Sequence, residues 1–98
     1  MKRLRLDSAA RSELLHEIRY YETVRAGTGR KFREAVELAF NRIRQSPQTG
    51  KPEDLDCRRV RVKGFPFAIV FREHPEEIVV FAVRNDARRP GYWLERVK

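Results

Sequence analysis

Apolar residues recur with a helical period in the first half of this 98-residue chain and with a strand period in the second. Lys2-Arg3-Leu4-Arg5-Leu6 alternates polar and apolar, which predicts a short strand with one buried face. Asp7 or Ser8 can then cap a helix by accepting from an unpaired first-turn amide. Ala10, Leu14, Ile18 and Tyr21 stand four, four and three apart, on one face of an amphipathic helix of about five turns. Arg11, Glu22 and Arg25 lie off that stripe. Gly27 and Gly29 stop the helix, because glycine accepts the left-handed conformation of a helix C-terminus, and send the chain back. A second helix is predicted from about Gly29 to Gln45, with Phe32, Val36, Ala39, Phe40 and Ile43 in register. Two such helices with a short link form an antiparallel hairpin.

Ser46-Pro47-Gln48-Thr49-Gly50-Lys51-Pro52 predicts a loop, since two prolines and a glycine defeat a regular element. From Cys57 onward the period is two. Arg59, Arg61 and Lys63 alternate with Val60 and Val62, giving a strand with an apolar inner face and a basic outer one. Phe67–Phe71 and Ile78–Val83 are apolar on both faces, as in central strands covered on two sides. The short link around His74-Pro75-Glu76-Glu77 makes them an antiparallel hairpin. The expected fold is α+β, in the order β-α-α-β-β-β: a two-helix hairpin packed on a mainly antiparallel sheet, with a charged C-terminal tail. One domain spanning 1–98 is expected. The helices can cover only one side of the sheet, so the other must be shielded by the tail or by a partner.

Charge sharpens the picture. There are 22 basic and 14 acidic residues, net +8. Up to Asp56 the balance is 12 basic to 9 acidic, and beyond it 10 to 5, so the excess is +3 and then +5. A basic surface points to nucleic acid, a membrane face or an acidic protein segment. No apolar run approaches the ~20 residues of a membrane span, and the charged start lacks the apolar core of a signal peptide, so the cytoplasm is expected. Cys57 is the sole cysteine and reads as a small semi-buried side chain. His16 and His74 are not at ligand spacing, so neither a metal nor a cofactor is expected.

The densest chemistry lies near the end, in Arg84-Asn85-Asp86-Ala87-Arg88-Arg89-Pro90-Gly91-Tyr92-Trp93-Leu94-Glu95-Arg96. Four arginines, a Tyr-Trp pair and a Pro-Gly break suggest a cationic, aromatic tail docked against a sheet edge. Arg88 and Arg89 flank the break, where no regular element readily hides them. Tyr20 and Tyr21 read as helix packing residues, one facing the core and one at its margin.

The order of elements, Tyr20-Tyr21-Glu22, the Gly27-Thr28-Gly29 turn followed by Phe32, Phe65-Pro66-Phe67, and Arg88-Arg89-Pro90-Gly91-Tyr92-Trp93 together resemble the RelE/ParE superfamily of small toxins. These belong to bacterial type II toxin–antitoxin, or plasmid-stabilisation, modules. The Arg-Arg-Pro-Gly-Tyr-Trp ending leans to the ParE branch, although Asn85 stands where that branch often carries histidine. The resemblance implies a growth-arresting inhibitor of DNA gyrase, which acts by binding rather than by its own chemistry. The RelE-like alternative is a ribosome-dependent messenger RNA endonuclease, for which Lys63, Arg72, Arg84 and Tyr92 would be the catalytic set. That branch wants a basic residue early in the strand that here opens Phe65-Pro66-Phe67-Ala68. A basic nucleic-acid-binding module without toxicity is the third reading.

The expected partner, implied by the resemblance, is a cognate antitoxin with an acidic amphipathic C-terminal segment, in a hetero-oligomer. Aliphatic anchors of that segment would meet the apolar face and its carboxylates the arginines. The residues expected to bind target or antitoxin are Arg59, Arg61, Lys63, Arg84, Arg88, Arg89, Tyr92, Trp93 and Arg96.

Overall fold

The computed structural model describes residues 2–97. Strand β1 (Arg3–Leu6) leads into helices α1 (Ser8–Val24) and α2 (Thr28–Gln45). A 3-10 turn (Pro47–Thr49) and a two-residue strand, β2 (Lys51–Pro52), follow; then come β3 (Arg58–Val62), β4 (Phe67–Glu73) and β5 (Glu77–Asn85), and a last 3-10 turn (Leu94–Arg96). The α+β order is as expected. Two boundaries are corrected: the Ser46–Pro52 loop contains a turn and an edge strand, and Lys63 lies just beyond β3.

Both helix starts are fixed by carboxylates. Asp7 Oδ2 accepts from Ala9 N–H at 3.0 Å and caps α1. At α2 the cap residue is Gly27, in the left-handed region with φ +89° and no side chain to offer. Glu22 of α1 takes its place, accepting from the N–H groups of Gly27 and Gly29 at 3.0 to 3.2 Å. Gly29 is also the point of closest approach between the helices. A Cβ there would stand 2.5 Å from the Ile18 carbonyl oxygen.

The sheet order is β1-β5-β4-β3-β2, with β1 parallel to β5 and every other pair antiparallel. The helical hairpin thus carries the chain from β1 at one edge to β2 at the other, and the antiparallel run β2-β3-β4-β5 brings the last strand back beside the first. Phe32, Val36 and Ile43 from α2 meet Val62, Ile69, Phe71 and Val80 from the sheet. Tyr21 packs on Phe32 and Phe65 at ring-centroid distances of 5.1 Å, while Tyr20 stays at the exposed margin. Burying each large side chain is worth about 1.5 to 3 kcal/mol, more than any exposed ion pair contributes, so this layer decides the fold.

Candidate functional site

Alternation carries Cys57, Arg59, Arg61, Val70, Arg72 and Val79 to the sheet face away from the helices. A β-bulge enlarges that face. Val70 pairs with Ala82 and Phe71 with Val80, so Phe81 is an extra residue, and Phe81 and Ala82 both pack on this side. The segment after β5 folds back across it, with Tyr92, Trp93, Leu94 and Val97 packed on the apolar residues. Trp93 is 1% exposed. The tail, not a partner, thus shields the second face, and Trp93, expected at a docking surface, is a core residue.

The expected cations divide into groups. Arg59 and Arg84 share one acid: the Glu53 carboxylate lies 2.8 Å from the first and 3.4 Å from the second. Arg61 grips both oxygens of Asp86 at 2.7 and 2.8 Å, and its guanidinium holds that carboxyl below its usual range. Arg96 donates to both oxygens of Glu13 at 3.0 Å and to the Phe81 carbonyl at 2.9 Å. Tyr92 also donates to Glu13, at 2.7 Å, and the guanidinium of Arg88 lies 3.9 Å from the centre of its ring. Arg89 is exposed beside it, and Lys63 is exposed just past β3, at the same end of the strands as Asn85 but two strands across the sheet. The sequence gives no sign of the acids Glu13, Glu53 and Asp86: Glu13 and Arg96 are 83 residues apart, beyond any local pattern.

The geometry bears on proton transfer too. Burial, then the bond to Glu13, pushes the Tyr92 phenol far above its ordinary 10, so it holds its proton at neutral pH. Cys57 is pushed up to about 11 by burial and is inert as a nucleophile. No group of three or more His, Cys, Asp or Glu among the described residues is placed to hold a metal. Likewise, no helix among them is long and apolar enough to cross a membrane.

An open surface lies at the opposite edge. Strand β2 pairs only with Arg58 and Arg59, because it is two residues long and ends in Pro52, which has no N–H to donate. Beyond Arg59 the outer edge of β3 has no strand beside it among the described residues. A groove runs between this edge and α2, with Ala35, Leu38 and Ala39 as its apolar wall and Arg42, Arg61 and Lys63 around it. Lys51 and Arg59 continue the cationic rim. Leu38 is 65% exposed, a large apolar side chain with little of its own chain to cover it.

The family of ParE toxins of the type II toxin–antitoxin system parDE matches residues 4–90, nearly the whole described chain. The chain belongs to that ParE toxin family. It is accordingly the toxin component of a type II toxin–antitoxin system. Among solved structures, "Chromosomal ParDE TA system from P. aeruginosa" is similar with a TM-score of 0.77 at 18% identity, covering 87% of this chain and 96% of that one. At that identity the likeness speaks for the fold. No curated protein sequence matches the chain. In this ParE-family chain the Arg-Arg-Pro-Gly ending leaves β5 and the Tyr-Trp pair closes the sheet; the match ends at Pro90, before that pair.

Proposed function

We propose that this ParE-family toxin inhibits DNA gyrase by binding it through the arm that carries Arg88 and Arg89, and that a cognate antitoxin silences it from the opposite edge. The observation that carries the antitoxin half is the unpaired β3 edge lying beside an apolar, cation-rimmed groove. An extended acidic segment satisfies such an edge through main-chain hydrogen bonds and sets carboxylates against Lys63, Arg42 and Lys51. Aliphatic side chains of the same segment cover Leu38 and the alanines.

Support for inhibition by binding, rather than by cleavage, comes from the candidate catalytic set. Tyr92 is locked protonated on Glu13, Arg84 is engaged by Glu53, and Lys63 stands at the groove. RNA cleavage needs a group that gives and takes a proton near neutral pH, and Tyr92, the set's acid–base candidate, is held in its protonated form. A supercoiling assay tests the proposal. Purified toxin should block gyrase, Arg88→Glu with Arg89→Glu should relieve the block, and added antitoxin should restore activity. Unimpaired supercoiling with translation-dependent messenger cleavage would replace this reading by the ribonuclease.

A further inference from the structure

Strand β1 stops at Leu6, opposite Val80, but β5 continues to Asn85. On that side β5 has no strand beside it among the described residues, and side chains take the strand's place. The Phe81 carbonyl accepts from Arg96 at 2.9 Å, and the Val83 N–H donates to Glu13 Oε1 at 3.0 Å. Glu13 also accepts from Tyr92 and twice from Arg96, so one carboxylate on α1 gathers four hydrogen bonds from β5 and the C-terminal arm. Tyr92, held by its hydroxyl, offers its ring to the Arg88 guanidinium. An unbroken line of contact thus runs from Glu13 through Tyr92 to Arg88.

From this convergence we infer that Glu13 is the positioning residue of the toxin's target-binding arm: it fixes Tyr92 and Arg96, and through Tyr92 it sets where Arg88 stands. The inference rests on the reading that the arm engages the target. It separates the two activities, because the antitoxin groove lies along β3, two strands from β5. Target action then depends on Glu13, and antitoxin capture does not.

The test compares Glu13→Gln and Tyr92→Phe with wild type, using three readouts. Trp93 is the sole tryptophan, so acrylamide quenching of its emission reports whether the arm is docked. Growth arrest on induction reports toxicity whatever the target, and affinity for the cognate antitoxin reports the groove. Glu13→Gln removes the charge behind four hydrogen bonds, and should raise quenching and weaken arrest by about tenfold or more, with antitoxin affinity within about twofold. Tyr92→Phe keeps the Glu13–Arg96 pair, so quenching should stay near wild type while arrest weakens, since Arg88 loses only its fixed seat.

Glu13→Gln with Trp93 as protected as in wild type, or with the arm released and arrest undiminished, overturns the proposal. If Glu13→Gln loses its fold and its antitoxin affinity together, Tyr92→Phe decides: undiminished arrest refutes the line to Arg88. A wild type that arrests growth but spares gyrase in vitro rejects gyrase as target and leaves the positioning role judged on arrest. A wild type that arrests nothing removes both.

Discussion

Replacing Trp93 tests whether the arm is part of the core. Its side chain is 1% exposed, against Cys57, Val70, Val79, Phe81 and Ala82. Trp→Ala at such a site costs about 3 to 5 kcal/mol through lost burial and the cavity left behind. One term acts the other way. Trp93 Nε1 is buried with no hydrogen-bond partner, and removing an unsatisfied donor returns about 1 to 3 kcal/mol. The net loss for Trp93→Ala is then about 2 kcal/mol, whereas Trp93→Phe keeps much of the ring, removes the orphaned N–H, and should fall within about 1 kcal/mol of wild type. At a urea slope of about 1 to 2 kcal/mol per molar, the alanine variant should unfold about 1 to 2 M earlier. Circular dichroism is the suitable probe, because both variants lack the fluorophore. Equal midpoints for alanine and phenylalanine, or an alanine variant as stable as wild type, would show that the arm does not seal the sheet.

Gly29→Ala should destabilise despite a helix-propensity gain of about 1 kcal/mol, because the new Cβ meets the Ile18 carbonyl at 2.5 Å and overpacking costs about 1 to 3 kcal/mol; a melting temperature at or above wild type would contradict the close approach. Folding raises the Tyr92 pKa above 10, so the protonated phenol stabilises fully below about pH 10 and this contribution is lost as pH climbs toward the folded value. Stability should therefore fall more steeply above pH 10 in wild type than in Tyr92→Phe, and parallel pH profiles would refute the assignment. Leu38→Asp, at a position 65% exposed, should leave stability within about 0.5 kcal/mol yet weaken antitoxin binding about tenfold or more in calorimetry; unchanged affinity would move the antitoxin elsewhere.

How far the fold was legible followed the range of the signal. Helical spacing marked the buried stripe Phe32, Val36, Ala39, Phe40 and Ile43 of α2, and unbroken apolar runs marked β4 and β5, because those patterns are written within one element each. Strand β2 was missed: two residues ending in proline have no period, and pairing with Arg58 and Arg59 alone makes them a strand. The Phe81 bulge was equally invisible, since an extra apolar residue in an apolar run changes no pattern while re-aiming the face that receives Trp93.

The site was legible as a list of cations and not as a surface. Net charge +8 suggests arginines free to meet a partner, yet Arg59, Arg61, Arg84 and Arg96 are each engaged by Glu13, Glu53 or Asp86. Those acids come from α1, the segment before β3 and the end of β5, and only the completed sheet brings them to the arginines. The engaged arginines hold the arm and the sheet's second face together; of the cations at the two candidate surfaces, Lys63, Arg42 and Lys51 at the β3 edge and Arg88 and Arg89 on the arm are exposed to solvent. If the antitoxin takes the β3 groove and the arm takes the target, as proposed, the two cationic surfaces are linked through the Arg61–Asp86 ion pair, yet the antitoxin can seize the toxin at β3 without first displacing the arm. Simultaneous binding of antitoxin and target is then limited by the bulk of the partners rather than by shared residues. A ternary complex on a sizing column would follow from a short antitoxin segment, and strict exclusion by that same segment would mean that the two surfaces are one.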